Sequence, residues 1–157
     1  MTTLIAHGPK ITPRASHPPP TAIRPERFRG CTEMQLGKAV ALTQFGVNQV
    51  TLAPGNWSSL RHWHESEDEF VYVLDGELTL VDETGTHVLR PGSCAGFPAG
   101  AANAHHLQNR SDKPATFLAV GTRKVGRETV HYPDDEQLGT ATLTRDAQGN
   151  RIADDAA

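Results

Sequence analysis

His62 and His64 stand two residues apart, and on a strand that spacing aims both imidazoles at one face while Trp63 points to the other. A turn of acidic residues follows, and Glu69 opens the next apolar run, FVYVL. Two histidines and a carboxylate on neighbouring strands are the donor set of a borderline divalent metal. A fourth donor is offered by GSCAGFPAGAANAHHLQN, residues 92–109, where Pro98 and Gly100 make a tight turn. In the strand that follows, His105, Leu107 and Asn109 share one face, and His106 and Gln108 share the other. Parity makes His105 the ligand, with His106 a supporting or external residue. The length of the turn sets the phase, so His106 is the alternative. Three neutral imidazoles and one carboxylate leave a divalent ion near +1, and a six-coordinate ion would keep two open positions for a small bidentate molecule. Proton transfer would also need a base that is not a ligand, for which His106 is the first candidate and Glu67 the second.

The elements that must hold these residues read as strands. KAVALTQF, VNQVTLA, FVYVL, ELTLVD, THVLR, HHLQN and ATFLAVG are short apolar runs punctuated by Gly, Pro or polar turns, the pattern of an antiparallel sandwich or barrel. No segment between residues 38 and 121 has a helical period. Asp75-Gly76 is a hairpin signal. In EFVYVL both faces are apolar apart from Glu69, so both need cover. A second subunit can supply it, and so can the first fifty residues of the chain. The homodimer is the preferred expectation.

Length and charge narrow the function. A chain of 157 residues forms one domain whose core does not depend on a metal for folding. A net charge of -3 without a basic block gives nucleic acid no footprint. With no leader-like apolar stretch and no run near ~18 apolar residues, the expected place is the cytosol, with no membrane partner. The only cysteines, Cys31 and Cys94, read as unpaired thiols, Cys94 buried and inert. Residues 1–37 are expected to form an extended arm, because Pro9, Pro13, Pro18, Pro19, Pro20 and Pro25 leave no room for a propagating helix or central strand. The barrel is expected over residues 38–121. Residues 122–157 read as a polar extension with a short strand or helix near Gln137 to Thr144 and a disordered end. Glu65, Glu67 and Asp68 read as a solvated turn, with support of the histidines as the alternative. Trp57, Trp63 and Phe97 read as packing, and His87 and His131 have no identifiable partner.

Gly55-x6-His62-x-His64-x4-Glu69-x6-Gly76 resembles the first motif of the cupin superfamily. Gly92-x5-Pro98-x-Gly100 followed by His105-x3-Asn109 is similar to the second, although four residues separate Gly100 from His105 where the family commonly has two. The whole resembles small single-domain bacterial cupins with a paired His-His in the second motif, some of which are labelled sugar-phosphate isomerase-like. The resemblance implies an all-β antiparallel double-stranded β-helix, the jelly-roll or cupin barrel, with an extended Pro-rich N-terminal arm. It also implies a metal near the axis held by His62, His64, Glu69 and His105, and dimerisation through exchanged N-terminal strands. Iron, zinc and manganese rank first from the resemblance, while nickel, cobalt and copper accept the same donors. The expected function is that of a metalloenzyme acting on a sugar, hydroxy or keto acid, or diol by isomerase, oxygenase or decarboxylase chemistry. The alternative is a non-catalytic sensor or binding cupin with a structural metal.

Overall fold

The computed structural model describes residues 2, 8–14 and 24–152. In chain order the described strands are β1 (Thr12–Pro13), β2 (Cys31–Met34), β3 (Phe45–Leu52), β4 (Trp63–His64), β5 (Glu69–Asp75), β6 (Leu78–Asp82) and β7 (Gly85–Leu89). They continue with β8 (Cys94–Phe97), β9 (His106–Gln108), β10 (Ala115–Thr122), β11 (Gly126–Tyr132), β12 (Gly139–Arg145) and β13 (Arg151–Ile152). All pairings are antiparallel: a six-stranded sheet in the order β1-β2-β3-β10-β5-β8, a four-stranded sheet β13-β12-β11-β4, and a three-stranded sheet β7-β6-β9. This is the expected all-β barrel.

The core forms where the alternating apolar positions of the sheets meet. Val50, Leu52, Val73 and Phe117 of the six-stranded sheet pack against Leu78, Leu80, Leu89 and Leu107 of the three-stranded one. A smaller cluster of Val130, Tyr132 and Leu143 lies under the four-stranded sheet. No described helix is long and apolar enough to cross a membrane.

Several local expectations give way. KAVALTQF is not a strand: the short helix α1 (Leu36–Ala39) and a turn through Ala41, at φ 61°, take up most of it, and the strand begins at Phe45. Asp75-Gly76 is not a hairpin, because β5 and β6 belong to different sheets. Gly76, at φ +77°, turns a corner so tight that a Cβ there would lie 2.7 Å from the Pro114 carbonyl oxygen. The two-residue hairpin is Glu83-Thr84, between β6 and β7. The polar extension carries more structure than expected, since β11, β12 and β13 form most of the four-stranded sheet.

Within residues 1–37, expected to form an extended arm, β1 and β2 pair into the six-stranded sheet beyond β3, while Pro18, Pro19 and Pro20 lie outside the described residues. Cys31 is buried and Cys94 is exposed, both unpaired, so burial of Cys94 is corrected. The outer face of β5, expected to be covered, is open in the single chain: Phe70, Tyr72 and Leu74 are each about 40% exposed.

Candidate metal centre

Three sheets contribute to one cluster. β4 presents His64 from its pairing with β11, and the neighbouring His62 is bridged to His105 just ahead of β9. β5 brings Glu69 from the opposite wall, where Phe97 is its cross-strand partner on β8 and shares its face. Phe97 stacks flat on His105, with ring centroids 3.4 Å apart and planes within 4°, so the imidazole cannot rotate freely. The turn after Phe97 is tied down by the Gly100 N–H donating to the His64 carbonyl at 2.9 Å and the Ala99 N–H donating to Asp68 at 2.7 Å.

Donor atoms converge on the Glu69 carboxylate: His105 Nε2 at 2.9 Å, His62 Nε2 at 3.4 Å and His64 Nε2 at 3.6 Å. His62, Glu69 and His105 each offer an atom within 4.8 Å of the others. Backbone carbonyls set the tautomers. His62 Nδ1 donates to the Leu60 carbonyl at 2.8 Å and His105 Nδ1 to that of Asn103 at 2.8 Å. A carbonyl only accepts, so in the neutral ring the Nε2 lone pair faces the cluster. Lone pairs aimed at a carboxylate repel unless a positive charge sits among them, and that charge can be a proton or a metal ion. Burial opposes a charged His62, but the Glu69 carboxylate outweighs it and holds the imidazole above its ordinary range. Burial also opposes the Glu69 anion, yet His62 and the hydrogen bonds from both histidines keep it well below the usual carboxylate range. Burial lowers His64. The arrangement suits a cation: His62, Glu69 and His105 form a candidate metal site, and His64 Nε2, 3.6 Å from the same carboxylate, is a further donor of the kind a divalent transition metal accepts.

Behind the third histidine stands a residue that strand periodicity near the motif did not reveal. Glu128 of β11 is 1% exposed, accepts from the Ser66 N–H at 3.1 Å and from the Ser66 hydroxyl, and lies 3.4 Å from His64 Nδ1, a buried nitrogen that makes no hydrogen bond among the described residues. A carboxylate behind a histidine is the usual way a ligating ring is oriented. The signal was present in GRETVHY, where Glu128 shares a face with Val130 and Tyr132 and so stands at an inward position.

Glu67 is not part of a solvated turn. At 3% exposure it accepts two hydrogen bonds from Arg145, at 2.8 and 3.1 Å, and one from the Lys124 N–H at 3.0 Å, with an oxygen 4.0 Å from His64 Nδ1. Glu65 does face solvent, and it accepts from His131 at 2.7 Å, so that histidine has a partner after all. His87 also has one, Asp82 at 3.3 Å.

His106 occupies the opposite side of the strand from the cluster. Its Nδ1 donates to the Ser59 carbonyl at 2.8 Å, its Nε2 accepts from Gln108 at 2.9 Å, and its ring meets the edge of Trp57. Burial pushes it down to about 4, so the ring is neutral at ordinary pH. A cavity of about 180 Å³ opens from the histidine cluster, walled also by Asn48, Ser58, Ser59 and Arg123. It shares walls with an outer chamber of about 410 Å³.

Residues 48–121 match the Cupin_2 family, described as a cupin domain. No curated protein matches the chain. Among solved structures, a sugar phosphate isomerase from a cupin superfamily, from Silicibacter pomeroyi, is 41% identical, with 94% of this chain and 87% of that one covered and a TM-score of 0.70. A candidate sugar phosphate isomerase from Acidithiobacillus ferrooxidans is 30% identical over 84% of this chain and 88% of its own, with a TM-score of 0.65. A predicted oxalate decarboxylase from Thermotoga maritima is 26% identical over 59% and 79% of the two chains, with a TM-score of 0.51.

Proposed function

The chain belongs to the cupin superfamily, and on that premise we propose that it is a cytoplasmic, homodimeric metalloenzyme acting on a small polar organic molecule. His62, His64, Glu69 and His105 hold a single divalent metal, with iron, zinc or manganese preferred. When bound, the ion supplies Lewis-acid polarisation or oxygen activation to a substrate oxygen. Isomerase, decarboxylase and oxygenase chemistry all use that property. The names carried by the two most similar structures cited above support isomerisation first.

The observation that carries the enzymatic reading is the cavity. A purely structural site would be closed by its ligands and apolar packing, whereas this cluster opens into a space whose other walls include Asn48, Ser58, Ser59 and Arg123. Both proton-transfer candidates line that cavity: the Glu67 carboxylate is fixed by Arg145, and both ring nitrogens of His106 are taken, by the Ser59 carbonyl and by Gln108. The sensor reading rests on the same cavity without turnover.

Elemental analysis of protein purified without a metal-affinity tag tests the proposal. One divalent transition metal per chain is expected, lost in the His62→Ala/His64→Ala double variant. Metal that survives that substitution overturns the site. The metal-loaded protein is then incubated with aldose and ketose phosphates, hydroxy acids and keto acids. Product formation that disappears in the double variant supports the enzyme, and tight binding without turnover of any of these favours the sensor.

A further inference from the structure

The chain is acidic overall, at a net charge of -3, yet its cavity is basic. Arg14, Arg123 and Arg145 line both the inner cavity and the outer chamber, and Lys38 and Arg151 join them in the chamber. The carboxylates on these walls are Glu33, Glu67 and Glu69. Glu67 is committed to Arg145 by two hydrogen bonds, and Glu69 to the histidines. Two guanidinium groups therefore keep spare capacity.

Arg123 has no carboxylate within 4.0 Å among the described residues. Among the described residues its guanidinium makes one hydrogen bond, a long one of 3.4 Å from Nη1 to the Gly149 carbonyl. Burial and the neighbouring Arg145 charge both weigh against its cationic form. Arg14 stands 3.9 Å from Glu33, and its Nη1 is buried without a hydrogen-bond partner among the described residues. Leaving such donors unmatched is costly, and a ligand oxyanion is the group that satisfies them. Space has been made for one of them. A Cβ on Gly46 would lie 2.6 Å from Arg123 Nε and 2.8 Å from its Nη2, so the absent side chain is the room the guanidinium occupies.

We propose that the substrate carries an oxyanion, phosphate or carboxylate, which docks on Arg123 and Arg14 in the cavity whose wall also holds the histidine cluster. The inference rests on that cluster being the reaction centre. The anion is the handle, and the uncharged part of the molecule lies toward Glu69. Arg145, already matched to Glu67, holds the wall rather than the ligand. Because the chamber supplies the positive charge independently of the histidines, anion binding and metal binding are separable.

Calorimetric titration of metal-loaded protein at fixed ionic strength tests this, with inorganic phosphate, malonate and glycerol as probes. At least one anion is expected to bind the wild type and to weaken roughly tenfold or more in Arg123→Gln and in Arg14→Gln at unchanged metal content. Glycerol should not distinguish the three proteins. Arginine-dependent binding of phosphate alone assigns a phosphoester substrate, and of malonate alone a carboxylate. Gly46→Ala keeps both charges and displaces only the Arg123 guanidinium, so a matching loss there supports the subsite even where an arginine variant fails to fold. Anion affinity indifferent to all three substitutions, or no anion binding to the wild type, overturns it. The same titrations on His62→Ala/His64→Ala separate the two readings. Arginine-dependent binding that persists without metal upholds the subsite whatever becomes of the metal centre. A metal-replete protein without arginine dependence sinks the subsite alone.

Discussion

At the scale of single residues, the centre depends on groups that never touch a substrate. Glu128 sets its carboxylate 3.4 Å from His64 Nδ1, where its charge bears on Nε2 through the ring. Glu128→Gln should lower metal affinity by about 10- to 100-fold in competition with a chromogenic chelator. Glu65→Gln, an exposed carboxylate paired with His131, should leave that affinity alone. Equal affinities for the two variants would show that Glu128 does not work through His64. His62, His64 and Glu69 are legible in the chain because they are local, and two-residue periodicity alone tells which face they share. The same periodicity assigns His105 and His106 to opposite faces, and the flat contact with Phe97 supplies what parity cannot, the orientation of the ring. The burial of Glu67, and the parts played by Glu128 and Arg145, escaped for the converse reason. A charge reads as solvated until its partner is known, and Glu67 meets Arg145 across 78 positions of sequence.

Elements show the same division between local and distant causes. β5 and β10 are legible as strands because β-branched and aromatic residues recur between turn residues. The sheet each strand joins is not legible, since Asp-Gly favours a tight turn whether the chain returns beside itself or crosses to another layer. Only the approach of Pro114 and Ala115 to Gly76 makes that corner a crossing. One polar residue fixes where β9 and β10 are joined. Asn109, 1% exposed, donates to the carbonyls of Leu52 at 2.9 Å and Lys113 at 2.7 Å and accepts from the Ser111 N–H at 2.9 Å. Its amide therefore clamps the 109–113 loop to the end of β3. The Ser111 hydroxyl also donates to it, at 2.7 Å, so Asn109→Ala removes the partner of four groups at once and should cost about 2–4 kcal/mol. In urea the midpoint should fall while the slope stays at the wild-type value, because the surface exposed on unfolding is unchanged. A loss below about 0.5 kcal/mol would mean that water replaces the amide at no cost, and the clamp would then be dispensable.

For the molecule as a whole, the outstanding feature is the sheet face that the single chain leaves bare. Directly paired residues share a face, so Phe70 with Val120 and Tyr72 with Leu118 form one apolar surface, continued by Leu74 and by the exposed Cys94 opposite Tyr72. A strand whose inner side supplies Glu69 and whose outer side is apolar suits a two-fold contact, in which each copy covers the other's β5. Such a contact would stiffen the strand that carries the carboxylate without adding any residue to the site. In sedimentation velocity at tens of micromolar, the wild type should run at twice the chain mass. Tyr72→Glu places one charge per copy on this face and should run as a monomer with its metal content intact. Cys94 gives an independent readout: its alkylation should be slow in the wild-type dimer and fast in the Tyr72→Glu monomer, at equal protein concentration. A wild type that sediments as a monomer, or a Tyr72→Glu protein that still dimerises, would show that this face is not the interface. In the second case the edge formed by β1 and β2 becomes the place to look, because an unpaired strand edge can pair with its copy where a face cannot.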